Sequence, residues 1–243
     1  MTPLPPPGEA RRILAVGAHP DDVEILCAGT LARAAAEGHH VTICVATNGN
    51  LGSMRIQPED LGAVREEEAR RSAALIGADF LWLNFPDEYI YHDHATRMRF
   101  IEMIRQARPD VIITHAPNDY HMDHRVVADL VLVSSFIAAV PNARTDSPRH
   151  PKIPPIFHMD TLAGVDFQPT DYVDISDYLE TKRAMMRQHA SQLEWLGEYN
   201  GIDIDEFIVT VARFRGLQCG AKYAEGFRRF QGWPRVTPER ILP

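Results

Sequence analysis

What this chain lacks narrows it first. It has only three cysteines, Cys27, Cys44 and Cys219. Their spacing forms neither a disulfide framework nor a close metal-binding pair, so a reducing compartment is the simpler assumption and cytoplasmic residence the default. Cys27 and Cys44 sit in apolar settings and read as core residues rather than nucleophiles. No apolar run approaches the roughly 18 residues of a membrane span. The proline-rich opening from Met1 to Glu9 has no signal-peptide core. No membrane association is expected. Basic residues are in deficit: Lys plus Arg number 25 against 33 Asp plus Glu, a formal charge of -8. That balance disfavours a broad nucleic-acid surface, although it leaves room for a local basic groove. A Gly-x-Gly-x-x-Gly fingerprint is missing after the apolar run at Ile13 to Val16, so a dinucleotide site is weakly supported.

What is present has the make-up of a folded domain. The chain is 45% hydrophobic and 24% charged over 243 residues, enough for one substantial core. Residues 1–12 read as a flexible leader and 13–243 as one domain, with no internal repeat. Strand patterns at Ile13–Ala18, His40–Ala46, Asp79–Asn84 and Pro109–His115 alternate with helical patterns at Val23–Glu37, Asp60–Ile76, His94–Arg108 and Val126–Val140. Such alternation predicts an α/β, Rossmann-like fold: a mostly parallel sheet flanked by helices. Prolines crowd residues 141–155, which read as a long loop or flap edging a site. Short strands are expected at Ile156–Met159 and 171–175. Helices are expected from Asp174 or Ser176 to Leu196 and over Asp203–Arg215, with a closing segment at 225–230.

Two polar clusters fall at strand-to-helix junctions. The first is His19, Asp21, Asp22 and Glu24. The second, about a hundred residues on, is His121, Asp123 and His124. Parallel strands bring such junctions together at the carboxyl edge of a sheet, where ligands bind. An imidazole beside paired acids reads as a metal site with a base. The plain alternative is that Asp21 or Asp22 caps the next helix; that leaves the other acid and His19 unexplained. His19, Asp22 and His124 would offer Zn²⁺ two nitrogens and an oxygen, leaving a position open for water. Asp21 would then serve as base, His121 would face the substrate, and Asp123 would fix a histidine tautomer. Spacing alone permits Asp21 as the ligand instead. Fe²⁺ and Mn²⁺ suit the same donors. A further His92-Asp93-His94 run lacks companion ligands and reads as surface or lid.

These residues carry a resemblance. His19-Pro20-Asp21-Asp22-Val23-Glu24, continuing through Cys27 to Leu31, resembles the first signature of the LmbE-like, or PIG-L, deacetylase family, and His121 to His124 resembles its second. Arg65, Glu68, Phe85 to Asp87, His189 to Gln192 and Ala224 to Arg228 extend the match over nearly the whole chain after the leader. Val23 stands where glutamate is common, and Ala28 replaces one glycine of a usual pair. The resemblance implies a zinc-dependent hydrolase that removes an acyl group from an amide nitrogen, commonly in an N-acetylglucosamine conjugate. It implies His19, Asp22 and His124 as metal ligands, Asp21 as the water-activating carboxylate, His121 near the tetrahedral oxygen and Asp123 as its support. It also makes a homotrimer or homohexamer an expected assembly.

Arg65, Asp87 and Asn118 are candidate contacts for the substrate, a small N-acylated molecule. Tyr89, Tyr91, Tyr120 and His158 would shape a pocket or pack against the sheet. His189 and Gln192 are expected to face together on one helix. Competing functions are an amidase acting on a small thiol or antibiotic-type conjugate, a catalytically silent metal- or sugar-binding protein, and a phosphohydrolase. The absence of a clear two-metal ligand set weighs against the last.

Overall fold

A computed structural model describes residues 9–235. Residues 1–8 of the expected leader lie outside them, and Arg12 already opens the first strand. Seven strands make one sheet: β1 (Arg12–Gly17), β2 (His40–Thr47), β3 (Asp79–Phe85), β4 (Val111–Thr114), β5 (Ile156–Met159), β6 (Asp171–Asp174) and β7 (Ala224–Arg229). Their order is β3-β2-β1-β4-β5-β7-β6. The first five strands pair in parallel, whereas β7 runs antiparallel to both β5 and β6. The expected mostly parallel, Rossmann-like sheet is therefore borne out.

Period-two alternation sorts the strand residues into two layers. Leu14, Val16, Cys44 and Ile112 face the layer made by α4 (His94–Ala107) and α5 (Met122–Ile137). Ala15, Ile43, Ile113 and Met159 face the opposite layer, made by α1 (Asp22–Leu26), α2 (Ala28–Ala36), α6 (Leu179–Met186) and α8 (Ile204–Cys219). Helix α3 (Pro58–Ala74) packs beside β3, with α7 (Ala190–Trp195) against its inner face. No described helix is long and apolar enough to cross a membrane.

Sheet order positions the site. β1 has β2 on one side and β4 on the other, so the connections leaving β1 and β4 border one crevice at the carboxyl edge. Both polar clusters follow these two strands.

Three expectations about elements need correction. The helix expected over Val23–Glu37 breaks at Cys27, whose φ is -147°. A buried ion pair supports the break. Glu225 accepts hydrogen bonds from the Gly29 and Thr30 amides at the start of α2, at 3.0 and 2.7 Å. Lys182 donates to the Ile25 carbonyl at 2.7 Å and to Glu225 at 2.5 Å. Groups that a continuous helix would satisfy internally are thus satisfied by side chains. Gly29 has no side chain because Ile175 occupies the space: a Cβ there would lie 2.7 Å from it.

The long helix expected to end at Leu196 divides into α6 and α7 and then a π-helical turn at Leu196–Asn200. At the break His189 turns wholly into the protein, toward Glu24. The loop at 141–155 does not edge the crevice. The α5-to-β5 connection must return to the amino edge of a parallel strand. There His150 meets the Pro109 carbonyl and Lys152 meets Asp110.

Candidate active site

Beyond β1 the chain is held tightly. The Ala18 amide donates to His115 Nε2 at 2.9 Å, and the Thr47 amide and hydroxyl both donate to the Ala18 carbonyl. Asp21 then adopts φ 121° and ψ -24°, a strained backbone for a residue with a side chain. Its carboxyl makes no capping hydrogen bond to α1. Asp22 does not cap either: its Oδ2 accepts from the His19 amide at 2.6 Å. Helix capping therefore accounts for neither acid.

Asp22 is the hub of the cluster. Its carboxylate lies 3.4 Å from His19 Nδ1, 3.2 Å from His124 Nε2 and 3.1 Å from His115 Nε2. Among the described residues, His19, His121 and His124 offer donor atoms that all lie within 4.8 Å of one another, as do Asp22, His115 and His124. His124 belongs to both groups, and the 3.4 Å contact between His19 and Asp22 links the remaining pair of the expected trio. Asp119 Oδ2 lies 3.0 Å from His124 Nδ1, leaving Nε2 turned toward Asp22. Asp87 and Asp123 approach His19 Nε2 at 3.2 and 3.3 Å. Asp123 therefore supports His19 rather than the His121 imidazole, and it also accepts from the Glu88 amide at 3.0 Å. Its own amide donates to His121 Nδ1, which leaves His121 Nε2 facing Glu88 at 3.2 Å.

The donor set fits a divalent cation. Imidazole rings crowd together, with His19, His121 and His124 at centroid separations of 4.6 to 5.3 Å. His19 Nε2 with Asp87 Oδ1, and His124 Nδ1 with Asp119 Oδ2, form two pairs 3.2 and 3.0 Å apart, which leave His19 Nδ1 and His124 Nε2 turned toward Asp22. Nitrogen and oxygen donors of this kind suit zinc, iron or manganese.

Electrostatics separates the two adjacent acids. Burial, reinforced by the negative charge of Asp22, pushes Asp21 up to about 7. Burial also works to raise Asp22, but His124 and His115 outweigh it and hold this carboxyl well below its ordinary range. One acid is thus fixed as an anion while the other is poised to exchange a proton near neutrality. Burial and the neighbouring His19 and His124 lower His121, favouring its neutral form.

The cluster opens into a cavity of about 590 Å³. Its polar floor includes Asp21, His121 and Arg65; Leu162, Trp195, Leu196 and Phe207 form much of its wall. Arg65 lines the cavity, but its Nη2 is committed to the Gly52 carbonyl at 2.7 Å and to Gln192. A Cβ at Gly49 would lie 2.5 Å from that guanidinium. Glu68 holds the start of α7 through the Ser191 amide and hydroxyl. Asp87 lines the cavity beside His19. Asn118 does not: it donates to the Asp166 carbonyl at 2.7 Å and accepts from Arg228 at 2.9 Å. Tyr120 reaches the cavity, whereas Tyr89 and Tyr91 are exposed outside it, and His158 is buried against the His115 carbonyl. His92 and His94 are on the surface, and Asp93 between them caps α4.

His115 and Asp119 escaped the sequence reading. In the sequence His115 reads only as the end of a strand, and Asp119 falls in a polar loop. The one available signal is the carboxylate of Asp119 five positions before His124, a short enough reach for a loop to fold back.

A doubly wound α/β sheet with a His/Asp cluster of metal-site character at its switch point is the class these features define. The family model described as PIG-L, GlcNAc-PI de-N-acetylase, matches residues 14–134. The uncharacterized deacetylase YaiS of Escherichia coli is 30% identical over 74% of this chain and 90% of its own length. The chain belongs to the PIG-L, or LmbE-like, family. A diacetylchitobiose deacetylase of Thermococcus kodakarensis is 27% identical over 93% of this chain and 86% of its own. The solved N,N'-diacetylchitobiose deacetylase of Pyrococcus horikoshii superposes with a TM-score of 0.80 at 27% identity, covering 94% and 87% of the two chains.

Proposed function

We propose that this protein is a metal-dependent hydrolase that removes an N-acetyl, or related N-acyl, group from an N-acetylglucosamine-type conjugate, with zinc as its ion. The observation that carries the reading is the placing of Asp21: a buried, strained carboxyl beside a cluster of imidazoles and open to a cavity. The diacetylchitobiose deacetylases supply the substrate class by similarity.

His19, Asp22 and His124 would hold the ion, with His115 behind Asp22. When bound, such a cation lowers the pKa of water and polarises a carbonyl. The chain's own residues do the rest. Asp21 as carboxylate takes a proton from the attacking water and, once protonated, returns it to the departing nitrogen. The Asp123 amide engages His121 Nδ1, so a neutral His121 carries its proton on Nε2. From there it donates a hydrogen bond to the oxygen that gains negative charge. Asp119 fixes the tautomer of His124, and Asp87 with Asp123 orients His19. Arg65 acts through Gly52 and Gln192 to keep the cavity wall in place. The products are a carboxylate, acetate in the simplest case, and a free amine. Cytoplasmic residence and a homotrimeric or homohexameric assembly belong to the same reading.

Mass-resolved turnover of N-acetyl amino-sugar conjugates after controlled Zn²⁺ loading tests it. Acetate and amine should appear together. Asp21→Asn should keep most of the metal and lose about 10²- to 10⁴-fold in rate, the usual share of a general base. Unchanged turnover would remove Asp21 from that role. If acyl amides stay intact while a phosphate ester is cleaved, the reaction class is wrong.

A further inference from the structure

The cavity is larger and more apolar than an acetyl group and one sugar ring require. Away from the polar floor, its wall includes Ile25, Leu162, Leu196, Ile204 and Phe207, with Tyr199 and Asn200 beside them. It does not end there. A second hollow of about 400 Å³ shares Ile202 and Phe207 with it and continues past Ala163 to Val211 and Phe214. Ile202 and Phe207 face both hollows, the inner one beside the His/Asp cluster and the outer one at the surface.

Helix α8 lines both hollows. Ile204, Ile208 and Ala212, four residues apart, pack into the core. Phe207, Val211 and Phe214, four and then three residues apart, recur on another face and line the hollows. Phe214 is 51% exposed and Ile202 37%. From Phe207 to Phe214 the helix rises about 10 Å at 1.5 Å per residue, the length of a medium alkyl chain. The charged residues that line the outer hollow are Asp203 and Glu206, both acidic. Their carboxylates repel an anionic chain end and accept a neutral one.

We propose that the substrate carries an uncharged alkyl or aryl substituent, and that the trench from Phe207 to Phe214 binds it. This rests on the deacylation reading and adds to it the shape and polarity of the molecule. The substituent can belong to the leaving amine, as an aglycone, or to the acyl group; its chemistry is the same in both.

Two series separate these sources: alkyl N-acetylglucosaminides from methyl to octyl, and N-acylglucosamines from acetyl to octanoyl. With the Zn²⁺-loaded enzyme, kcat/KM should rise about twofold per methylene in one series, half the logarithmic gain of complete burial of a CH₂. That is roughly thirtyfold from propyl to octyl. The series that rises identifies the side of the amide that enters the trench. A terminal carboxylate on the longest member should cancel most of the gain. Phe214→Ser, at an exposed position, should lower the octyl-to-methyl ratio several-fold. Slopes that are flat in both series while the shortest member turns over would overturn the trench and leave deacylation standing. If no member releases an amine, octyl glucoside binding decides by calorimetry. Binding that Phe214→Ser weakens supports the trench even though deacylation has failed, and no binding overturns both.

Discussion

Glu225→Gln should be among the most damaging conservative substitutions in this protein, although Glu225 lies outside the reaction cavity. In the folded chain its carboxylate neutralises Lys182, which is 2% exposed, and accepts the Gly29 and Thr30 amides. A glutamine keeps the size but not the charge. With its oxygen at the Oε1 position it would still accept from Lys182 and Gly29, but the Lys182 charge would lose its counter-charge and the Thr30 amide would face an NH₂ group. Breaking one side of a buried ion pair typically costs about 3–5 kcal/mol. A domain of this length loses about 2–4 °C in Tm per kcal/mol, so a fall of about 6–20 °C is expected. Thermal unfolding followed by circular dichroism measures it. Adding Lys182→Met removes the orphaned charge, so the double variant should melt above Glu225→Gln alone. A fall of under about 2 °C, or a double variant no better than the single, would refute the argument that the charge pair holds the α1–α2 break.

Two further outcomes follow from the same contacts. Asp119→Asn leaves the His19, Asp22 and His124 donors in place but weakens the group that orients His124; metal affinity should fall about 10- to 100-fold in a chelator competition. Glu102, despite a partial burial cost, is lowered to about 2 by hydrogen bonds from Ser147. A depressed carboxyl contributes stability above its unfolded pKa of about 4.5 and loses it as pH falls toward 2. The Tm difference between the native protein and Ser147→Ala should therefore be largest above pH 5 and shrink toward pH 2.5.

Much of this architecture was legible in the residues because its signals are local. Apolar runs ending in His19 and, later, at His115 marked the strands; two polar clusters after them marked the junctions. The parallel order that unites them follows from alternating strands and helices. What stayed hidden depends on distant partners. Nothing local in residues 27–29 announces a helix break, since Glu225 and Lys182 stabilise it from the far end of the chain. The insertion of β7 between β5 and β6 is equally silent, because a strand's neighbours are chosen by the whole sheet. Arg65 looked like a substrate contact for its charge, yet the structure turns part of that guanidinium inward to Gly52 and Gln192. Asn118 looked suitable for its chemistry and lies on the wrong side of its loop.

The backbone of Asp21 has a consequence for how this protein tolerates change. Its φ of 121° suits glycine, and a side chain there carries a strain of about 1–3 kcal/mol. Asp21→Gly would relieve that strain, against a loss of about 0.5–1 kcal/mol from glycine's freer unfolded chain. A library selected only for heat resistance should thus enrich glycine at this codon and yield sturdy, inert enzymes. On the role proposed for Asp21, lineages that keep aspartate would hold the reaction at the expense of robustness.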